Sequence, residues 1–164
     1  MKVAMVFYSF SGNTKRACLF LKEKMAVSGI GADLFDLRLK EEVKSFFKQG
    51  RQAFFKEMPE LIEADYNLDK YDFVIFASPI WAFTFAPALR SYLKKLAELG
   101  GKKTACFLTY GSGLGKGKAL AELENVLREK KTHIFFSKDF PGVKSKDSTY
   151  LGEIFKPLFD ILGL

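Results

Sequence analysis

Tyr8-Ser9-Phe10-Ser11-Gly12-Asn13-Thr14 stands between an apolar run, Val3-Ala4-Met5-Val6-Phe7-Tyr8, and a helix-like run from Lys15 to about Ser28. A strand, a short polar loop and a helix start in that order make an anion site. Free backbone N–H groups at the helix N-terminus and the positive end of its dipole attract a phosphate. Ser9, Ser11 and Thr14 add hydroxyl donors, Asn13 adds an amide, and Gly12 lets the backbone come close. The same residues also read as an N-capped helix after a turn, since Ser, Thr and Asn are the ordinary caps.

Two familiar phosphate motifs are excluded. From Gly12 there is no G-x-x-x-x-G-K-[ST], because Ala17 stands where the second glycine belongs. There is no G-x-G-x-x-G in this stretch either, which disfavours a dinucleotide pyrophosphate. A hydroxyl-rich loop suits a terminal monophosphate and points toward a mononucleotide.

With 164 residues, 48% of them apolar, the chain suits one domain over 1–164 with a substantial core. No apolar run approaches the roughly 18 residues of a membrane helix. The N-terminus reads as a strand without a signal-peptide cleavage site, so the expected location is cytoplasmic. Cys18 and Cys106 fall in predicted core elements and read as buried thiols rather than a disulfide or a metal pair. His133 has no second His or Cys at ligand spacing, so no metal site is expected. The net charge of +7 admits an acidic partner or an anionic ligand. The basic residues are scattered, however, and no long basic block favours nucleic acid.

The expected elements alternate. Strands are predicted over residues 2–8, 32–37, 71–78, 103–109 and 132–137. Helices are predicted over 14–28, with Ala17, Leu21 and Met25 on one face, then from Pro87, over 118–130 and over 148–162. The nearly all-apolar Phe73-Val74-Ile75-Phe76-Ala77 is the signature of a buried parallel strand. Glu41 to Lys56 reads as a helix whose Phe46-Phe47 and Phe54-Phe55 pairs cover the sheet or serve as a lid or dimer contact. Five strands alternating with helices give a three-layer α/β sandwich on a parallel sheet with right-handed crossovers. Ligands of such sheets sit beyond the carboxyl ends of the strands. Three loops emerge there: 9–14, 79–87 and 110–117.

These loops together resemble the flavodoxin family and its NAD(P)H-dependent FMN reductase-like members, over essentially the whole chain. The family's strand order, 2-1-3-4-5, and FMN at its switch point are implied by that resemblance. Ser9, Ser11, Gly12, Asn13 and Thr14 match the family's phosphate loop. Pro79, Ile80, Trp81, Ala82 and Phe83 look like the loop at the flavin's redox edge. Thr109, Tyr110, Gly111, Ser112 and Gly113 are similar to the loop holding the pyrimidine side. An isoalloxazine is flat and mostly apolar, so Trp81 or Tyr110 could stack on it, while backbone N–H groups of Ala82 and Ser112 donate to its polar edge. For Trp81 a core-anchor role stays open, and for Gly111–Gly117 a simple turn. The segment from Gln49 to Pro59 looks like an insertion found in a subset of the family.

Cys18 stands where the family usually has Ala, and Phe83 where many relatives have Gly. With no Gly from Pro79 to Thr84, a positive φ there is expected to be disfavoured by about 1–2 kcal/mol, which argues for electrons moving in pairs. Lys116 and Lys118 follow the third loop and are expected to bring charge to it.

Three functions compete. One is an FMN-dependent reductase taking two electrons from NAD(P)H to a small acceptor such as a quinone. Another is an electron carrier of the flavodoxin type, serving a redox partner that the charge suggests is acidic. The third is a binding module without FMN. No residue stands out as a catalytic acid or base.

Overall fold

The computed structural model describes residues 1–40 and 58–164. The expected helix Glu41–Lys56, with its phenylalanine pairs, lies outside them. A parallel sheet is built from β1 (Lys2–Phe7), β2 (Gly31–Asp36), β3 (Phe73–Trp81), β5 (Lys103–Tyr110) and β6 (His133–Pro141), in the order β2-β1-β3-β5-β6. A two-residue strand, β4 (Thr84–Phe85), pairs antiparallel with the end of β3. Apart from β4, the order is the flavodoxin-like one.

Alternation along each strand supplies both cores. Val3, Met5 and Phe7 of β1, with Phe73 and Ile75 of β3, bury against α1 (Asn13–Val27) and α4 (Ser148–Leu162). Ala4, Val6, Val74 and Phe76 point the other way, toward α2 (Pro87–Lys95) and α3 (Lys116–Glu129). The strands are buried on both faces, which is why β3 reads as a continuous apolar run. Ala17, Leu21 and Met25 are buried as their spacing requires, and Cys18 joins them. Both cysteines are free and buried. Pro87 stands in the first turn of α2, where its missing N–H has no helical acceptor to lose.

The main correction is to residues 79–87, which do not form an open loop. β3 continues through Pro79-Ile80-Trp81 and folds back as a hairpin, with Ile80 opposite Phe85 and Trp81 opposite Thr84. The Ser78 hydroxyl accepts from Ala86 N at 2.9 Å, which closes its base. The fifth strand of the main sheet also runs past its expected end at Ser137 to Pro141, while α3 starts two residues early, at Lys116. The edge strand β6 carries a bulge opposite Thr104/Ala105. Pro157 lies inside α4, which spans it.

Candidate functional site

β1 lies between β2 on one side and β3 on the other, so the chain's progress across the sheet reverses there. The segments leaving β1, β3 and β5 gather at this carboxyl edge, which is where a parallel α/β sheet presents ligand-binding groups.

Gly12 is the N-cap of α1 and adopts φ 84°, the left-handed region that glycine enters without strain. It offers no capping side chain, and no acidic residue lies in the first turn. The N–H groups of Asn13 and Thr14 have no acceptor inside the helix. Ser9 Oγ accepts from Lys15 N at 3.2 Å, which curls the loop over the helix start. Thr14 is buried, and its Oγ1 lies 2.9 Å from Thr109 Oγ1, joining the first loop to the end of β5. Asn13 turns toward the other end of the chain. Its Oδ1 accepts from Ser145 Oγ at 3.3 Å and from Arg16 Nη1 at 2.7 Å. A Cβ on Gly142 would stand 2.7 Å from Asn13 Nδ2, so this contact requires glycine at 142.

The hairpin turn is Ala82-Phe83, with φ 43° and 67°. Positive φ at both central residues is the pattern of the I′ turn that suits a two-residue hairpin. The expectation that this stretch avoids positive φ for want of a glycine is therefore overturned. Tertiary contacts hold it. Phe83 lies on the backbone of Gly115, where a Cβ would come within 2.8 Å of Phe83 Cβ. Thr84 Oγ1 donates to Glu122 Oε2 and accepts from Arg90 Nη2 at 2.6 Å. Arg90 also pairs with Glu122 at 3.2 Å and lies 4.2 Å above the Phe85 ring.

Trp81 is only 8% exposed and packs edge-on to Tyr8 at 5.4 Å and Phe10 at 5.9 Å. Of its two readings, the geometry favours the core anchor. In its place, each of the three segments exposes one large apolar side chain: Phe10 at 48%, Phe83 at 49% and Leu114 at 67%. In the third loop, Gly113 takes φ 75° beneath the Tyr110 ring. Lys116 Nζ donates to the Tyr110 hydroxyl at 3.4 Å and sits 3.8 Å from Asp139. The Tyr110 hydroxyl, followed by the nearby Asp139, raises the Lys116 pKa above its ordinary value. The charge of Lys116 is thus shared with these groups, and Lys118 is exposed on α3.

The sequence over residues 1–142 matches the NADPH-dependent FMN reductase family. The chain belongs to that family. No curated protein matches it in sequence. Among solved structures, a flavoprotein in complex with FMN from Lactobacillus acidophilus aligns with a TM-score of 0.67 at 18% identity, over 90% of this chain and 98% of that one. A candidate flavoprotein from Bacteroides uniformis gives 0.72 at 17% identity, over 93% and 97%. A flavodoxin from the domain Archaea gives 0.62 at 15% identity, over 95% and 97%. At these identities the likeness is one of fold.

FMN is the flavin of this reductase family, and the residues fit it. An uncapped helix start with an αL glycine suits the 5′-phosphate. Exposed apolar side chains on three neighbouring segments suit the flat ring. Sequence reasoning passed over Phe10, Leu114, Arg16 and the Arg90–Glu122 pair. Phe10, a lone aromatic in a hydroxyl-rich loop, was the legible signal, whereas nothing local marked Glu122. No group of three or more His, Cys, Asp or Glu side chains among the described residues could hold a metal ion. No helix among them is long and apolar enough to cross a membrane.

Proposed function

We propose that the chain is an FMN-dependent oxidoreductase that takes an electron pair from NAD(P)H and passes it to a small acceptor such as a quinone. One observation carries this reading: a helix start whose N-cap glycine leaves the Asn13 and Thr14 N–H groups without a side-chain cap, with exposed Phe10, Phe83 and Leu114 on the segments at the same sheet edge. Bound FMN supplies the two-electron chemistry. Ser9, Ser11, Gly12, Asn13 and Thr14 hold the phosphate. Thr109 holds the Thr14 hydroxyl in place through their shared hydrogen bond. Pro79, Ile80, Trp81, Ala82 and Phe83 form the wall at the redox edge, Trp81 by backing Phe10 from within the core. Thr109, Tyr110, Gly111, Ser112 and Gly113 enclose the pyrimidine side.

FMN titration followed by anaerobic reduction tests the reading. NADH or NADPH alone should bleach the flavin, and a quinone should restore its colour. Ser9→Ala/Thr14→Ala should weaken FMN binding by about 1–3 kcal/mol for each hydrogen bond lost to the charged phosphate. Absence of FMN binding would sink the proposal. Binding without reduction by either nucleotide would move the chain to the carrier class. The carrier reading keeps one observation in its favour. Ala82 and Phe83 already hold positive φ, so the missing glycine does not restrict this turn. A carrier's partner would be acidic, to suit the +7 charge.

A further inference from the structure

Two cations, Lys15 and Arg16, stand in the first turn of α1, and no acid accompanies them. This is the wrong end of a helix for positive charge, because the exposed N–H groups and the dipole are themselves positive there. The two side chains resolve the conflict differently. Lys15 Nζ pairs with Asp36 Oδ2 at 2.8 Å. Arg16 pairs with no carboxylate among the described residues. Its guanidinium folds back over the phosphate loop, with Nη2 3.4 Å from where a Cβ on Gly12 would stand. One of its donors is used: Nη1 donates to Asn13 Oδ1 at 2.7 Å. Asn13 is itself held by Ser145 and by contact with Gly142, so the far end of the chain fixes the orienting amide. A guanidinium has five N–H donors in a fixed fork, a shape matched to phosphate oxygens.

Resting on the FMN reading above, we infer that Arg16 is a phosphate ligand, and that it makes the site selective for FMN over the unphosphorylated flavin, riboflavin. The phosphate monoester carries a charge of about −1.5 to −2 at neutral pH. At the mouth of an uncapped helix it would answer both the free N–H groups and the unpaired guanidinium. Gly12 is then needed for its positive φ, and it leaves the guanidinium room to lie against the loop backbone. Asn13 is a positioning residue that aims the guanidinium.

Fluorescence titrations of the full chain with FMN and with riboflavin test this, using wild type, Arg16→Gln and Arg16→Lys. Arg16 is exposed, so neither substitution disturbs the core. Arg16→Gln should weaken FMN by about tenfold or more, as expected for a charged hydrogen bond to phosphate, and leave riboflavin unchanged. Arg16→Lys should recover part of the loss, as a point charge without the fork. The gap between wild type and Arg16→Gln should narrow as salt is raised. Equal FMN affinity in wild type and Arg16→Gln would overturn the assignment, and so would equal losses for both flavins. If wild type binds neither flavin, the FMN reading itself fails, and the Arg16 assignment with it.

Discussion

Ala82 and Phe83 hold a backbone conformation that non-glycine residues avoid at a cost of about 1–2 kcal/mol each. The strain persists because neighbours over-determine it, and Gly115 is the tightest of them. Gly115 is the N-cap of α3 at φ 71°, and Phe83 occupies the space a side chain there would need. Gly115→Ala should therefore destabilise the protein by about 2 kcal/mol or more, from αL strain plus displacement of Phe83. Combining it with Phe83→Gly removes the clash and one strained φ, so the double variant should recover stability relative to Gly115→Ala. Urea unfolding measures both, and a double variant no more stable than the single would show that Phe83 does not press on Gly115.

The hairpin of β3 and β4 is the element that carries the strained turn to the site. Its outer strand has only two residues, too few to hold by ladder bonds. The Arg90–Glu122–Thr84 cluster fastens it to α2 and α3. Both charged side chains are largely covered, at 11% and 20% exposure, so Arg90 loses a close, poorly solvated countercharge when Glu122 is removed. Removing one partner of such a pair leaves an uncompensated charge and costs about 3–5 kcal/mol when burial is complete. Allowing for the remaining exposure, Glu122→Leu should cost about 2–3 kcal/mol. Arg90→Met/Glu122→Leu should cost less than the sum of its single changes, because neither charge is then stranded. Additive losses in a double-mutant cycle would show that the pair is not coupled.

At the scale of the whole molecule, buried titratable groups set the alkaline limit of stability. Burial, helped by the hydrogen bond to Asp33, pushes the Tyr71 phenol from 10.0 up to about 12. Burial likewise raises the Cys106 thiol from 9.0 to about 12 and lifts Tyr92 above its ordinary value. These groups are held neutral in the fold. The unfolded chain releases their protons first, so the native state binds more protons and stability falls as pH rises. The contribution is complete below about pH 9 and is lost progressively up to about pH 12. Urea midpoints should drop across this window, and Tyr71→Phe should flatten the drop. A midpoint that holds steady from about pH 9 to 11.5 would contradict the assignment.

Local period and local chemistry make part of this molecule legible from its residues alone. The unbroken apolar run of residues 3–8 marked β1 as a strand, and it is buried on both faces. The spacing of Ala17, Leu21 and Met25 fixed the buried side of α1, and the apolar pattern of residues 148–162 fixed α4. Gly12 among hydroxyl residues marked the start of α1 and the loop proposed to hold the phosphate, because a close anion needs glycine. Tertiary structure decided what depends on neighbours distant in sequence. Thr14 meets Thr109 across 95 residues, and Asn13 meets Ser145 across 132. Residues 79–85 form a hairpin although Ala-Phe is a poor I′ turn locally, because Gly115, Arg90 and Glu122 are positioned to hold it. Trp81 reads alike as a flavin wall or a core anchor until Tyr8 and Phe10 close around it. A backbone's own preferences are visible within a few residues, whereas contacts that offset strain arise only once the crossovers bring separate strands to the same edge.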